Sequence, residues 1–464
     1  MSYEPLTAVF DEAFSADGCV RPVYAEVVGA LGELDLAVLA EAVTEEAAQR
    51  GVSFVLDRVH EAFSLDPVPR LIAAGEWSLL SRGLAQRVRA LDLFVADVYA
   101  EQRIVAAGVL PKRALESCDH FEPRLVGTPP PPVRIGVAGL DLVRGVRGRF
   151  GVLEDNVRTP SGLAYALAAR ECLDARLPSH LADGRQPLEG AVDMLASALR
   201  MSAPEGVSDP TIVVLSDGPG SSAWYEHQRI ARMLDVPVVR LADLSVADGR
   251  LEARAAGTRL RVDVVYRRTD EDRLTDASGE LTEVGAKLCE PIEKGVLSCV
   301  NAFGTGVADD KLVHAYVESI VRFYLREEPL LPSVTTYDPD IPEQREEVLL
   351  RIGELVIKPR SGQGGHGVVV APHAEDEDVR AVAEALDADP ASFIAQETVM
   401  ISTHPTVIGD RLEPRHVDLR PFVFLAGDEE LVVPGGLTRV ALDRGALVVN
   451  SSQSGGGKDT WVMT

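Results

Sequence analysis

Three residues about a third of the way along the chain have types and spacing that suggest chemistry: Asp141, Glu154 and Asn156. The stretch Arg149–Glu154 is rich in β-branched and apolar residues and follows Gly145-Val-Arg-Gly148, so it reads as the second strand of a β-hairpin. Side chains two apart on a strand share a face, which points Glu154 and Asn156 the same way. Asp141, on the first strand over Val133–Val143, can reach that face across the ladder. Two carboxylates and an amide oxygen form a hard, all-oxygen set that suits Mg²⁺, with phosphate oxygens from a substrate completing the octahedron. The alternative for the same residues is a solvated acidic sheet face.

A second group is Val356-Ile-Lys358-Pro-Arg-Ser-Gly362-Gln-Gly364-Gly365-His-Gly367. An apolar strand ends in Lys358, and the glycines that follow can turn backbone N–H groups inward as an anion nest. The lysine precedes the glycines, so this is no P-loop, and β-structure rather than a helix follows, which argues against a dinucleotide fingerprint. The choice is between a phosphate cradle and a hairpin turn. Lys311 follows Asn301-Ala-Phe-Gly-Thr-Gly-Val-Ala-Asp309-Asp310 at the start of a periodic stretch. An amine in a first helical turn suits a phosphate oxygen; the alternative is a solvated lysine behind an Asp309 cap. The tail Asn450-Ser-Ser-Gln-Ser-Gly-Gly-Gly-Lys458 reads as a flexible loop able to approach phosphates. Arginines at Arg267-Arg268, Arg415, Arg420 and Arg439 offer forks for a carboxylate or an acyl-phosphate.

Composition narrows the field. The chain has 464 residues, with 46 Lys+Arg against 72 Asp+Glu, a formal charge of −26. That excludes a general nucleic-acid binder, which needs a basic surface, though not an anionic ligand in a local basic pocket. Only six of the 46 basic residues are lysines, and Lys311, Lys358 and Lys458 all lie beside Gly- or Asp-rich stretches. The five cysteines are scattered without a CxxC pair, and the histidines form no HxxxH pair, so a disulfide framework, a zinc ribbon and a zincin are not expected. No GxSxG elbow suggests a hydrolase. No apolar run approaches the ~20 residues of a membrane span. Met1 to Glu12 does not look like a signal peptide. The expectation is a reduced, cytoplasmic protein.

These residues need elements to hold them. Leu84, Val88, Leu91, Val95 and Val98 recur at steps of four and three, which predicts an amphipathic helix over 82–99. The proline run Pro129–Pro132 marks a joint. Thr211–Ser216, a glycine loop, a helix over Trp224–Leu234 and a strand over Pro237–Leu241 form a βαβ unit with parallel strands. A helix is predicted over 309–325, with Asp309 as its cap. Short strands follow at Leu355–Lys358, Val368–Val370, Phe393–Gln396, Val423–Leu425 and Leu447–Val449. The fold class is α/β with a helical N-terminal portion.

Together the segments resemble the ATP-grasp superfamily, specifically its circularly permuted type 2 group, whose relatives include glutathionylspermidine synthetase. The resemblance runs from about Phe63 to Val462. It rests on Phe63-Ser-Leu-Asp-Pro-Val-Pro-Arg70, Gly83–Ala90, Val152–Gly162, Asp309-Asp-Lys311, Lys358 with its glycines, and Glu413-Pro-Arg-His-Val-Asp-Leu-Arg-Pro421. It implies an N-terminal segment over 1–70 and a permuted ATP-grasp domain over 71–464. Asp141, Glu154 and Asn156 would hold Mg²⁺, and Lys311 and Lys358 would contact ATP phosphates under a lid of Gly364, Gly365 and Gly367. Gln396 and Glu397 would sit at adenine and ribose. Arg439 and Arg158 would face the γ-phosphate and the acyl-phosphate made from it. The acidic motif precedes the lysines, as in the permuted group. The Cys-His hydrolase region of amidase-fused relatives is not recognisable here. The implied activity is an ATP- and Mg²⁺-dependent ligase joining a small-molecule or peptide carboxylate to an amine. The alternatives are an ATP-binding scaffold or sensor and a kinase on the same fold.

Overall fold

A computed structural model describes residues 3–56, 59–361, 367–443, 445 and 455–464. Its centre is a sheet with strand order Arg70–Ile72, Gly456–Val462, Leu437–Val440, Arg411–Arg420, Asp141–Arg144, Phe150–Glu154. The first pair is parallel and the others antiparallel. The expected hairpin is present: Asp141 lies opposite Glu154, with a bulge between Asp141 and Leu142. The helix Ala74–Val98 covers one face of this sheet, and Leu84, Val88, Leu91, Val95 and Val98 are all buried in one core with Leu142, Val152 and Leu419.

Two smaller sheets flank the centre. Ser298–Val300, Val264–Arg268, Ile212–Ser216 and Val238–Val239 form a parallel sheet, with the helix Trp224–Leu234 as the crossover of the expected βαβ unit. Thr336–Tyr337, Phe393–Glu397, Leu355–Pro359 and Val369–Val370 form an antiparallel sheet. Its strands bury Leu355, Ile357 and Ala395 against Val382 and Leu386 of the helix Asp376–Ala388. The N-terminal segment carries two helices, Ala25–Gly32 and Leu36–Gln49, but also the hairpin Ser53–Leu56 with Val59–Ala62. Among the described residues, no helix is long and apolar enough to cross a membrane.

Three expectations need correction or placement. The helix predicted over 309–325 is broken into Gly306–Asp309, Lys311–His314 and Val317–Leu325. Asp310, not Asp309, caps the second piece: its backbone is extended and its carboxylate accepts from Leu312 N at 2.8 Å. Asp309 is instead used by a neighbouring loop, accepting from Val157 N at 2.7 Å and Arg158 N at 3.2 Å. The apolar periodicity survives the breaks, since Leu312, Val313, Val317, Ile320 and Val321 are all buried. Lys458 is not on a loop near phosphates. It lies in the strand Gly456–Val462, fully buried, donating to Pro405 O at 2.9 Å and paired with Asp66. The strand expected at Leu447–Val449 lies outside the described residues.

Candidate active site

The central hairpin, the antiparallel sheet and the turn after Val264–Arg268 enclose one cleft of about 1120 Å³. Asp141, Glu154, Asn156, Arg158, Lys311, Lys358, Gln396, Glu397 and Arg439 all line it. Residues separated by nearly three hundred positions thus converge on one space. Gly364 and Gly365 lie outside the described residues. Gly367 sits at a φ of +73°, beside Pro359.

The acidic side of the cleft is a ring of four charges. Asp141 accepts a fork from Arg420, Nε at 2.7 Å and Nη2 at 2.8 Å, and lies 2.9 Å from Arg439 Nη2. Arg439 in turn donates to Asp418, its partner across the ladder, at 2.9 Å. Burial opposes ionisation of Asp141, yet Arg420 and Arg439 hold its carboxyl well below the usual carboxylate range. Burial, together with the like charge of Asp141, pushes Asp418 up against the pull of Arg439. Asp141, gripped by two guanidiniums, is the carboxylate that stays ionised.

Glu154 is treated differently. Among the described residues its carboxylate makes no hydrogen bond and no ion pair. Burial first, then the charge of Asp141, push it up, while Lys358 and Lys311 pull it down. Beside it, the amide nitrogen of Asn156 is buried without a partner. Carboxamide oxygen and nitrogen are assigned from surroundings, so this orphaned end marks a polar position awaiting a ligand. Among the described residues no three His, Cys, Asp or Glu side chains gather as a ready metal cluster. Two carboxylates and an amide that still need outside oxygens suit Mg²⁺, which keeps water or phosphate in its shell.

Asp155, between Glu154 and Asn156 in sequence, faces away from the cleft into the core. Arg87 of the long helix forks onto it at 2.6 and 2.7 Å, and His314 Nδ1 lies 2.7 Å from its Oδ2. An ionised carboxylate only accepts, so the His314 proton sits on Nδ1. This buried pair fixes the strand end that presents Glu154 and Asn156.

On the opposite wall, Lys358 lies one residue before the end of the strand Leu355–Pro359 and donates to Gln396 Oε1 at 2.7 Å. Burial, and then the like charge of Lys311, lower the Lys358 ammonium; Glu154 and Asp141 pull the other way. Gln396 is buried and also donates to Thr336 Oγ1 at 3.0 Å, so it orients Lys358. Glu397 receives a fork from Arg351 at 2.9 and 3.0 Å and a bond from Tyr337 Oη at 2.7 Å. Leu153, Val356, Val370, Val399 and Ile401 form an apolar stretch of the lining at this end. Lys311 donates to Arg360 O at 3.3 Å. Arg360 itself bonds Asp310 at 2.9 Å, Ser117 Oγ at 2.5 Å and Ala114 O at 2.8 Å, which ties the antiparallel sheet to the body.

Arg158 occupies the other arm. Its guanidinium reaches Asp309 Oδ1 at 3.1 Å, Asp272 Oδ2 at 2.8 Å and His120 Nε2 at 3.1 Å. Reading the sequence offered Arg420 only as one of several candidate forks, and passed over Asp418, His120, Asp272 and the Arg87–Asp155 pair as site residues. Asp418 and Arg420 had a signal, since they alternate on one strand face opposite Arg439. His120 and Asp272 come from turns and had none.

A permuted order of acidic hairpin and lysine wall around one cleft defines the class. The chain belongs to the circularly permuted ATP-grasp type 2 family, whose pattern it matches over residues 69–441. It is similar to an uncharacterized Mycobacterium tuberculosis protein, 44% identical over 462 residues covering 98% of this chain and 84% of that protein. It is also similar to a Frankia alni protein provisionally named glutamate–cysteine ligase 2-3, 44% identical over 470 residues. That match covers 99% of this chain but 54% of the relative, so the chain spans about half of it. Among solved structures, a glutathione synthetase-like effector from Globodera pallida shares the fold, with a TM-score of 0.57, 12% identity, and coverage of 93% of this chain and 98% of that one.

Proposed function

We propose that this protein is an ATP- and Mg²⁺-dependent ligase that joins a small-molecule or peptide carboxylate to an amine through an acyl-phosphate. The observation that carries this reading is the convergence of Glu154, Asn156, Lys311, Lys358, Arg158 and Arg439 on one cleft. The family assignment and the name of the Frankia relative support it. Lys358, oriented by Gln396, and Lys311 offer two ammonium groups to a triphosphate, while Leu153, Val356 and Val370 offer an apolar surface for a base. Glu154 and Asn156, with Asp141 beside them, would hold Mg²⁺. When bound, that ion would neutralise phosphate charge and help align the γ-phosphate with the carboxylate. Arg439 and Arg158 stand on either side to take charge developing on the transferred phosphoryl group. The protein's contribution is positioning and charge neutralisation rather than covalent chemistry. All five cysteines are free thiols, four of them buried, which suits a reducing compartment, and a cytoplasmic location is part of this reading.

The test is incubation with ATP, Mg²⁺ and pools of amino acids, peptides and polyamines, following phosphate and ADP. The expected result is substrate-dependent release of both together with an amide product, abolished in Glu154→Gln while the circular dichroism spectrum is kept. ATP binding without turnover would favour a scaffold, a stable phosphoryl product would favour a kinase, and full activity in Glu154→Gln would remove the metal assignment.

A further inference from the structure

The arm of the cleft beyond Arg158 holds an imidazole to which the proposed function assigns no role. His120 sits in the turn after Arg113–Glu116, half-buried and lining the cleft. Its Nε2 lies 3.1 Å from Arg158 Nη1, and its Nδ1 lies 3.5 Å from Asp272 Oδ1 with no hydrogen bond completed. Arginine stays protonated and can only donate. Nε2 therefore carries the lone pair, and the ring proton is assigned to Nδ1, on the side of Asp272. Asp272 arrives from the carboxyl end of Val264–Arg268, the end of a parallel strand where ligands of open α/β sheets bind. Gly306 makes the arrangement possible. A Cβ there would collide with the His120 side chain and stand 3.0 Å from Arg158 Cδ.

A carboxylate 3.5 Å from the protonated Nδ1, and a cleft-lining imidazole whose Nε2 lone pair meets only the Arg158 guanidinium, form the pattern of a general base and its orienter. Amide formation needs one. An amine arrives as an ammonium ion, without a lone pair, and must lose a proton before it attacks. Resting on the ligase reading above, we infer that His120 is the general base for the amine, held by Asp272, with Arg158 covering its Nε2 until an acyl-phosphate draws that guanidinium away.

The step balances. The ammonium gives one proton to His120 Nε2, and the freed lone pair forms the C–N bond at the acyl carbon. The bond from that carbon to the phosphate oxygen breaks. Phosphate leaves with the second proton, the third stays on the amide nitrogen, and His120 returns its proton to solvent.

Hydroxylamine is uncharged at neutral pH and needs no base, so it separates this role from all others. The wild type and His120→Gln are compared with ATP, Mg²⁺ and a pool of L-amino acids as carboxylates, with either hydroxylamine or a pool of amino acids and polyamines as nucleophile. The expected result is hydroxamate formation by His120→Gln within about threefold of wild type, against a loss of about 10²–10⁴-fold in amide formation. Asp272→Asn, which keeps the packing, loses less. Equal loss of hydroxamate and amide, or wild-type amide formation in His120→Gln, overturns the base. No hydroxamate from the wild type overturns the ligase reading itself, and this inference with it. Independently of turnover, ¹⁵N NMR of the wild type, with the resonance assigned by its absence in His120→Gln, is expected to show the Nδ1–H tautomer. An Nε2–H tautomer overturns the proposal even if the ligase reading stands.

Discussion

Replacing Arg87 by Met tests the frame of the site without any ligand. Arg87 and Asp155 are each 2% exposed and joined at 2.6 Å. Methionine keeps the apolar stem of the side chain, so the change removes charge and hydrogen bonds more than volume. Asp155 is left with His314 alone, 2.7 Å away. Removing one partner of a buried pair costs about 3–5 kcal/mol, because the other charge is left uncompensated. At about 2–4 °C per kcal/mol for a domain of about 150–250 residues, the loss in Tm is about 6–20 °C. The dependence on pH has a definite sign. Burial pushes Asp155 up, but Arg87 and then His314 outweigh it and hold the carboxyl well below the usual range. Such a group contributes stability above its unfolded pKa and loses it as pH falls through the folded one. In Arg87→Met that depression shrinks, so the variant neutralises Asp155 earlier on acidification. Its deficit against wild type therefore narrows between about pH 7.5 and about pH 3, the lower value lying below the unfolded carboxylate pKa. Thermal and urea unfolding at both pH values, followed by circular dichroism, measure this. A deficit under about 1 kcal/mol at the higher pH, or one that widens on acidification, refutes the reasoning.

Lys358→Met is expected to weaken ATP binding by about 10–100-fold, the worth of one charge-assisted contact, as measured by calorimetry. Because burial and Lys311 lower the Lys358 ammonium, wild-type affinity falls with rising pH sooner than an ordinary lysine would give, and Lys358→Met flattens that profile. Arg360→Ala removes the bonds to Asp310, Ser117 and Ala114, so amide exchange should rise across Leu355–Pro359 and Phe393–Glu397 and the KM for ATP should increase. Unchanged exchange there would show that the sheet is held by something else. Lys458→Met leaves Asp66 buried and short of its cation, with an expected loss of about 3 kcal/mol in urea unfolding but no change in nucleotide affinity. A matching loss of affinity would return Lys458 to the cleft.

What the sequence made legible follows from short-range physics. Glu154 and Asn156 both line the cleft as expected, although the strand ends at Glu154 and Asn156 follows it, and the long helix declares itself by its period. What it hid depends on pairing between distant strands. Asp418 meets Arg439 and Asp141 only because Arg411–Arg420 lies between Leu437–Val440 and Asp141–Arg144, and no local pattern states that order. The glycines before Lys458 resemble a loop in composition, but Gly457 sits where a Cβ would come within 2.6 Å of the Phe63 ring. They are small because a strand packs closely there, which is a different reason for the same letters. The predicted helix after Asp309 breaks because its two aspartates serve different neighbours, one the Val157–Arg158 loop and the other the cap of Lys311–His314.

The division of labour between the two hairpin carboxylates follows from their surroundings. Asp141 and Glu154 are register partners, yet one is bridged by two arginines and the other is bridged by nothing among the described residues. If both carboxylates were neutralised by guanidinium, the cleft would have no deficit for a cation to fill. If neither were, two like charges across one ladder would raise each other's pKa and admit protons instead. Satisfying Asp141 with Arg420 and Arg439 keeps it ionised; burial first, and then that fixed negative charge, push Glu154 up and leave that carboxylate in want of a cation. The lysines opposite only partly meet the want, because burial and their mutual repulsion restrain Lys358. On the ligase reading, a divalent ion brought in with a polyphosphate would answer both sides at once, supplying charge to Glu154 and delivering anionic oxygens to Lys311 and Lys358. On this account metal and nucleotide would bind cooperatively by electrostatics alone, with no conformational change required of the hairpin.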